Sequence, residues 1–295
     1  MRSRLSVELQ DLIELVIVPG LAVFLPWKVA FRVFGWLARQ PWLYHEPCSH
    51  ALQHARALGW AGENEAHWLW VRKLVTLIDH ADHYLGLTRS DKWMRRHLMV
   101  QGSWPVNHQP HLLLTFHWGA GYWGLRHAAA SGLRPHALVA SLDSNAYKGR
   151  AVLRRYAESR NANVANTLGA GNLDVSKDLK KIAKSVRLGQ QLLGVVDVPA
   201  DDAKAALDIT ILGMKAQVPR GLFKIAVERQ IDVVVYITGL NTQTGQRSLH
   251  IKSMGVFDNI QTLADTLFQE LDAVIALDAP AWHFWSVSER LFRSK

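Results

Sequence analysis

His117 is the residue of this 295-residue chain best placed to move a proton. It follows an apolar run, Leu112-Leu-Leu-Thr-Phe116, and precedes a turn containing Gly119 and Gly121. A segment of helical character then continues to Ser131-Gly132. The run has the length of a buried strand, and the glycines let the chain turn tightly into the next element. His117 is therefore expected at the carboxyl edge of a strand, just before a helix N-terminus, where open α/β sheets bind ligands. An imidazole there is suited to act as a base. Amides of Gly119 and Gly121 are candidates to stabilise a developing negative charge beside it.

The surrounding sequence supplies the elements that hold such a site. From residue 111 onward, 112–116, 137–141, 163–166, 191–197, 207–212, 233–238 and 248–253 read as strands. Between them, 121–130, 147–159, 173–187, 219–229 and 263–277 read as helices. Repeated strand-then-helix units predict an α/β fold with a mostly parallel central sheet flanked by helices. The stretch Asn241-Thr-Gln-Thr-Gly245 predicts a hairpin late in the chain. Residues 41–108 read as helical and irregular, with amphipathic pieces at 65–87 and 91–100. The economical organisation is a helical N-terminal portion, 1–40, ahead of one α/β domain, 41–295.

Residues 12–25 are apolar but interrupted by Glu14, Pro19 and Gly20, and are shorter than the roughly 20 residues of a spanning helix. No small-residue cleavage site follows them. Beyond Pro26, Lys28, Arg32 and Arg39 alternate with Trp27, Phe31, Phe34 and Trp36. That pattern predicts a basic, aromatic helix lying in a membrane interface. Twelve tryptophans and a net charge of +9 suit an anionic membrane surface or an acidic partner. Nucleic acid ranks last, because no binding signature accompanies the charge. The single Cys48 excludes an internal disulfide. His50/His54 and His80/His83 have helix-face spacing, yet no HExxH pattern or cysteine set joins them, so no metal site is expected.

The stretch His117-Trp-Gly-Ala-Gly-Tyr122 resembles the motif of the lysophospholipid acyltransferase superfamily, a strand-end His with an acid five residues later. The chain is most similar to the lipid A biosynthesis lauroyl/myristoyl branch. Further points of likeness are Asp143-Ser-Asn145 with Tyr147-Lys-Gly-Arg150 to Arg155, Val218-Pro-Arg-Gly-Leu-Phe223, and the ending Pro280-Ala-Trp-His-Phe-Trp285 with Arg290 and Arg293. The family's acid falls at Tyr122, which carries no carboxylate, and the Arg that many relatives have before Asn145 is absent.

The resemblance implies O-acyl transfer from an acyl thioester, carried by acyl carrier protein or CoA, to a hydroxyl of a lipid or glycolipid. No cofactor is implied. His117 would be the base, and Gly119, Gly121 and Tyr122 would border the oxyanion and acyl group. Asn145, Arg150, Arg154 and Arg220 would bind phosphate. A base of this kind works best with a carboxylate holding its tautomer. The substitute for the missing acid is Asp197, which ends the apolar strand Leu192-Leu-Gly-Val-Val-Asp197, with Asp201 and Asp202 behind it. The implied location is the cytoplasmic face of a bacterial-type inner membrane, attached peripherally or monotopically. Tyr122 also supports an alternative, a non-catalytic lipid-binding relative. A His-Asp hydrolase is third, since no GxSxG nucleophile is present.

Overall fold

Leu112, Leu113 and Leu114 are all buried, although successive side chains of a strand point to opposite faces. Only a strand covered on both sides satisfies that pattern, which is the environment of a central parallel strand. A computed structural model describes residues 3–106, 109–142, 145–200 and 202–292. Its first part is helical: α1 (Arg4–Leu12), a π-helical turn (Ile13–Ile17), α2 (Val18–Phe24), α3 (Trp27–Leu37), α4 (His45–Ala57), α5 (Glu65–Thr88) and α6 (Asp91–His97). There follow β1 (Leu98–Gln101), β2 (His111–Thr115), α7 (Tyr122–Ala130), β3 (His136–Val139), α8 (Ala151–Leu168), β4 (Leu173–Asp174), α9 (Leu179–Arg187) and β5 (Leu192–Val195). The last part comprises β6 (Ala206–Ile211), β7 (Met214–Pro219), α10 (Gly221–Glu228), β8 (Asp232–Leu240), β9 (Arg247–Gly255), α11 (Ile260–Leu277) and α12 (Ser288–Leu291).

Seven strands form one sheet in the order β1-β9-β8-β2-β5-β3-β4. The five from β8 to β4 run parallel, while β9 is antiparallel to β8 and carries β1 alongside it. The mostly parallel sheet flanked by helices is thus as the sequence predicts, and so is the hairpin around Asn241–Gly245. Four elements differ. The expected helix at 173–187 begins instead as β4, which pairs with β3 at the sheet edge, and is helical only in α9 from Leu179. The 163–166 stretch is not a strand but part of α8, which runs on until Gly169 takes the left-handed conformation that ends helices (φ 68°). Residues 207–212 do form a strand, but it pairs with β7 in a separate hairpin. The turn there places Leu212 and Gly213 at φ 54° and 75°, as a tight two-residue hairpin requires. Finally, the amphipathic 91–100 piece is a helix only to His97 and then becomes β1.

Two apolar layers sandwich the sheet. Phe223 and Ala226 of α10 and Leu263, Leu267 and Leu271 of α11 belong to one layer. Tyr122, Trp123 and Ala128 of α7, Leu168 of α8 and Phe34 of α3 belong to the other. The connections leaving β2 and β5, which are neighbours, therefore pass to opposite faces. That divergence opens a crevice at their carboxyl ends, the switch point where α/β sheets hold ligands.

The N-terminal helices bury Leu15, Val18 and Ala22, yet they also bury two acids and leave a large apolar outer face. Asp11 and Glu14 are buried, whereas Leu5 is 81% exposed, Leu9 55%, Ile17 51% and Phe24 83%. The two buried acids have partners: Asp11 accepts from Arg150 and Glu14 from the Tyr44 amide, while the half-buried Glu8 accepts from the amides of Ala151 and Val152 at the start of α8. In α3, Trp27 and Phe34 turn into the core and Trp36 stays outside with Lys28, Arg32 and Arg39. Among the described residues no helix is long and apolar enough to cross a membrane.

Candidate active site

Thr115 of β2 pairs with Val195 of β5, and the Val196 amide donates to Thr115 O at 3.1 Å. Residues 117 and 197 each lie two positions past that rung, so the register brings His117 and Asp197 level at the switch point. Asp197 is wholly buried and its carboxylate has three donor groups. The His117 amide donates to both oxygens at 3.0 Å, His117 Nδ1 to Oδ1 at 2.9 Å, and Trp282 Nε1 to Oδ2 at 2.8 Å. Donors of this number satisfy both oxygens of a carboxyl group held away from water.

With the carboxylate as acceptor, the His117 proton sits on Nδ1 and Nε2 is the basic nitrogen. The ring is held flat against Phe284, with centroids 4.0 Å apart and planes 20° apart. Its side chain is 35% exposed, so a substrate hydroxyl has access to it. A base with a fixed tautomer, oriented by a buried acid, can deprotonate a hydroxyl for attack on an acyl carbon.

The C-terminal strap beyond α11 closes over this turn. His283 N–H donates to His117 O at 2.8 Å, and Gly119 N–H donates to Ala281 O at 3.1 Å. His283 Nε2 lies 2.7 Å from Gly119 O, and its Nδ1 lies 3.0 Å from Arg72 Nη2. Burial, reinforced by the Arg72 charge, pushes His283 down to about 4, so this imidazole is neutral at pH 7. Gly119 is required where it stands: its φ is 60°, and a Cβ there would sit 2.2 Å from Thr238 O.

The remaining expected site residues are spread out. The Gly119 amide is committed to Ala281, so it is not a free oxyanion donor; Gly121 caps the start of α7. Tyr122 is buried and turns its phenol away, placing it 2.8 Å from Thr167 Oγ1 and 3.4 Å from Asn163 Oδ1 of α8. Arg150 is tied to Asp11 and Arg154 to Glu158 one turn along α8, while Asn145 is exposed. Arg220 precedes α10 on the opposite face of the sheet from α8. These groups do not form one anion site. Asp202 is exposed and bonds the amide of Lys204. His108, Asp143, Asp201 and Arg293 lie outside the described residues. The histidine pairs are used locally: His54 meets Trp285 O and Glu289, His80 the Tyr156 phenol, and His83 Ser159.

Sequence reasoning missed Arg72, Trp282, His283 and Phe284 as members of the site. For the last three the signal was the ending at 280–285, a point of family likeness whose dense aromatics have no helical or strand period; Arg72 carried none.

A mainly apolar groove of about 720 Å³ starts beside Trp118, with Met99, Ile237, Leu240, Val274 and Leu277 in its walls. A second hollow of about 450 Å³ shares Ile237 and His250 with it and continues along β8 and β9. Asp278 lines the first, and burial raises its carboxyl to about 6. No protein-family model matches the chain, and no curated protein matches it either.

Proposed function

We propose that the protein is a membrane-associated O-acyltransferase of the lysophospholipid acyltransferase type. It moves a fatty acyl group from a thioester, on acyl carrier protein or CoA, to a hydroxyl of a lipid or glycolipid. The observation that carries this reading is the buried Asp197 carboxylate on Nδ1 of His117. It supplies from a neighbouring strand the acid that Tyr122 does not. His117 Nε2 takes the acceptor proton as the oxygen attacks the thioester carbonyl. The tetrahedral oxyanion is met by a backbone amide of the turn after Gly119, whose own N–H is taken by Ala281, and its collapse expels the thiolate, which recovers a proton from the imidazolium. The groove beside Trp118 suits an acyl chain, because burying each CH₂ is worth about 0.8 kcal/mol.

The apolar outer face of α1 and α2, with the exposed Lys28, Arg32, Trp36 and Arg39 of the α3 region, supports attachment in the interface plane of an anionic membrane. The cytoplasmic face of a bacterial-type inner membrane fits that surface. The alternative, a lipid-binding relative without activity, rests on Tyr122; the acid held against His117 favours catalysis over it. The deciding experiment offers labelled acyl-carrier-protein thioester and a total lipid extract to membranes containing wild type or His117→Ala. A labelled lipid that vanishes with His117→Ala supports the enzyme and delivers its acceptor for identification. A folded wild type that binds acyl chains but yields no product would move the reading to the lipid binder.

A further inference from the structure

We infer that Arg72 and His283 are positioning residues that fix the plane of the Gly119–Ala120 peptide, making the Ala120 N–H the oxyanion donor beside His117. This deepens the acyltransferase reading and rests on it. Arg72 of α5 is 6% exposed; the Asp79 charge on the same helix and the Cys48 thiol act on it, but its hydrogen bonds among the described residues go to no carboxylate. Instead its Nη1 donates to the carbonyls of Pro280 (3.2 Å) and Trp282 (3.0 Å), and its Nη2 points at His283 Nδ1 (3.0 Å). A buried cation with no carboxylate in hydrogen-bond contact is expensive, and an apolar side chain would fill the same space at lower cost. What the charge secures is direction. A guanidinium has donors only, so His283 Nδ1 must accept and the ring proton must sit on Nε2. That proton is donated to Gly119 O at 2.7 Å.

A trans peptide is planar, with its N–H pointing opposite to its C=O. Pulling Gly119 O towards His283 therefore turns the Ala120 N–H the other way. The Gly119 N–H is already tied to Ala281 O, whereas the Ala120 N–H makes no hydrogen bond to another described residue. An unpaired amide in a buried turn is uncommon. It is what a site prepared for a transient oxyanion contains. The same strap also accounts for the rest of the geometry, because His283 N–H holds His117 O and Trp282 holds Asp197.

The test compares the full-length chain in membranes as wild type, Arg72→Met and His283→Phe. We expect kcat to fall about 10²-fold, the loss typical of one oxyanion donor, with KM for the acyl thioester within about threefold of wild type. A variant that merely loosened the fold would lose substrate binding as well. Variants that keep kcat within threefold overturn the proposal. The ¹⁵N ring spectrum of His283 in the wild type tests it without any variant. A protonated Nε2 with a bare Nδ1 at pH 7 is expected; the opposite tautomer overturns the proposal, whether or not the protein turns over. The expected tautomer in a wild type that transfers no acyl group would instead locate the failure in the acyltransferase reading.

Discussion

Replacing Asp197 by Asn exchanges one carboxylate oxygen for an NH₂ in a fully buried position, with almost no change in volume. Three donor groups converge there: the His117 amide, His117 Nδ1 and Trp282 Nε1. An amide has only one oxygen for them. If that oxygen faces His117, the NH₂ meets the indole N–H and leaves two donors opposed. If the NH₂ faces His117, the ring must shift its proton to Nε2 and can no longer accept one from a substrate. Either orientation also removes the charge that stabilises the imidazolium. We expect kcat to fall by about 10³–10⁴, or roughly 4–5.5 kcal/mol of transition-state stabilisation. One unsatisfied buried donor should cost about 1–3 kcal/mol of folding stability. The assay is steady-state acyl transfer with purified variant in detergent, alongside thermal unfolding and the His117 ¹⁵N spectrum. An Asp197→Asn variant with kcat within tenfold of wild type and an unchanged melting temperature would refute the reasoning, since neither cost would have been incurred.

Gly119→Ala should abolish transfer and destabilise the fold by about 1–3 kcal/mol in urea, because it places a Cβ against the Thr238 carbonyl at a left-handed φ. A fully active, equally stable variant would mean that the turn adapts. Acid should weaken the fold above the ordinary carboxylate range: burial depresses His80 to about 3, and His83 and His283 to about 4, while it raises the Asp278 carboxyl to about 6. The histidines' stabilising share is full above the unfolded value near 6.5 and is lost as pH falls towards 4. Asp278, which binds a proton more tightly when folded, opposes this below pH 6. Over these four groups unfolding takes up about two protons, which would lower urea stability by roughly 2–3 kcal/mol per unit between pH 6 and 5; a flat profile there counts against these burials. Leu5→Glu with Phe24→Glu should cut co-sedimentation with anionic vesicles more than tenfold at unchanged stability, since both side chains are over 80% exposed. Equal sedimentation of the variant would exclude α1 and α2 as the membrane face.

Local pattern in the sequence was enough to place His117 after a buried strand and before a helix, and to place Asp197 at the end of another. An apolar run of strand length that is bounded by turn residues reads as a buried strand, and glycines mark where the chain turns. Periodicity records which residues face a core. It does not record which strands become neighbours, so the pairing of β2 with β5 and the rung Thr115–Val195 that sets the two side chains level came only with the tertiary structure. The same limit hid the direction of polar groups. Tyr122 turns into α8, the Gly119 amide is taken by Ala281, and Arg150 is spent on Asp11. Asn163 read as part of a strand because its apolar neighbours said nothing of the buried hydrogen bonds it makes to His83 from within α8. Arg72 reads as one more cation in a helix until the fold carries it under a strap more than 200 residues away. Its hydrogen-bond partners there are carbonyls and an imidazole, and no spacing rule along the chain predicts such partners.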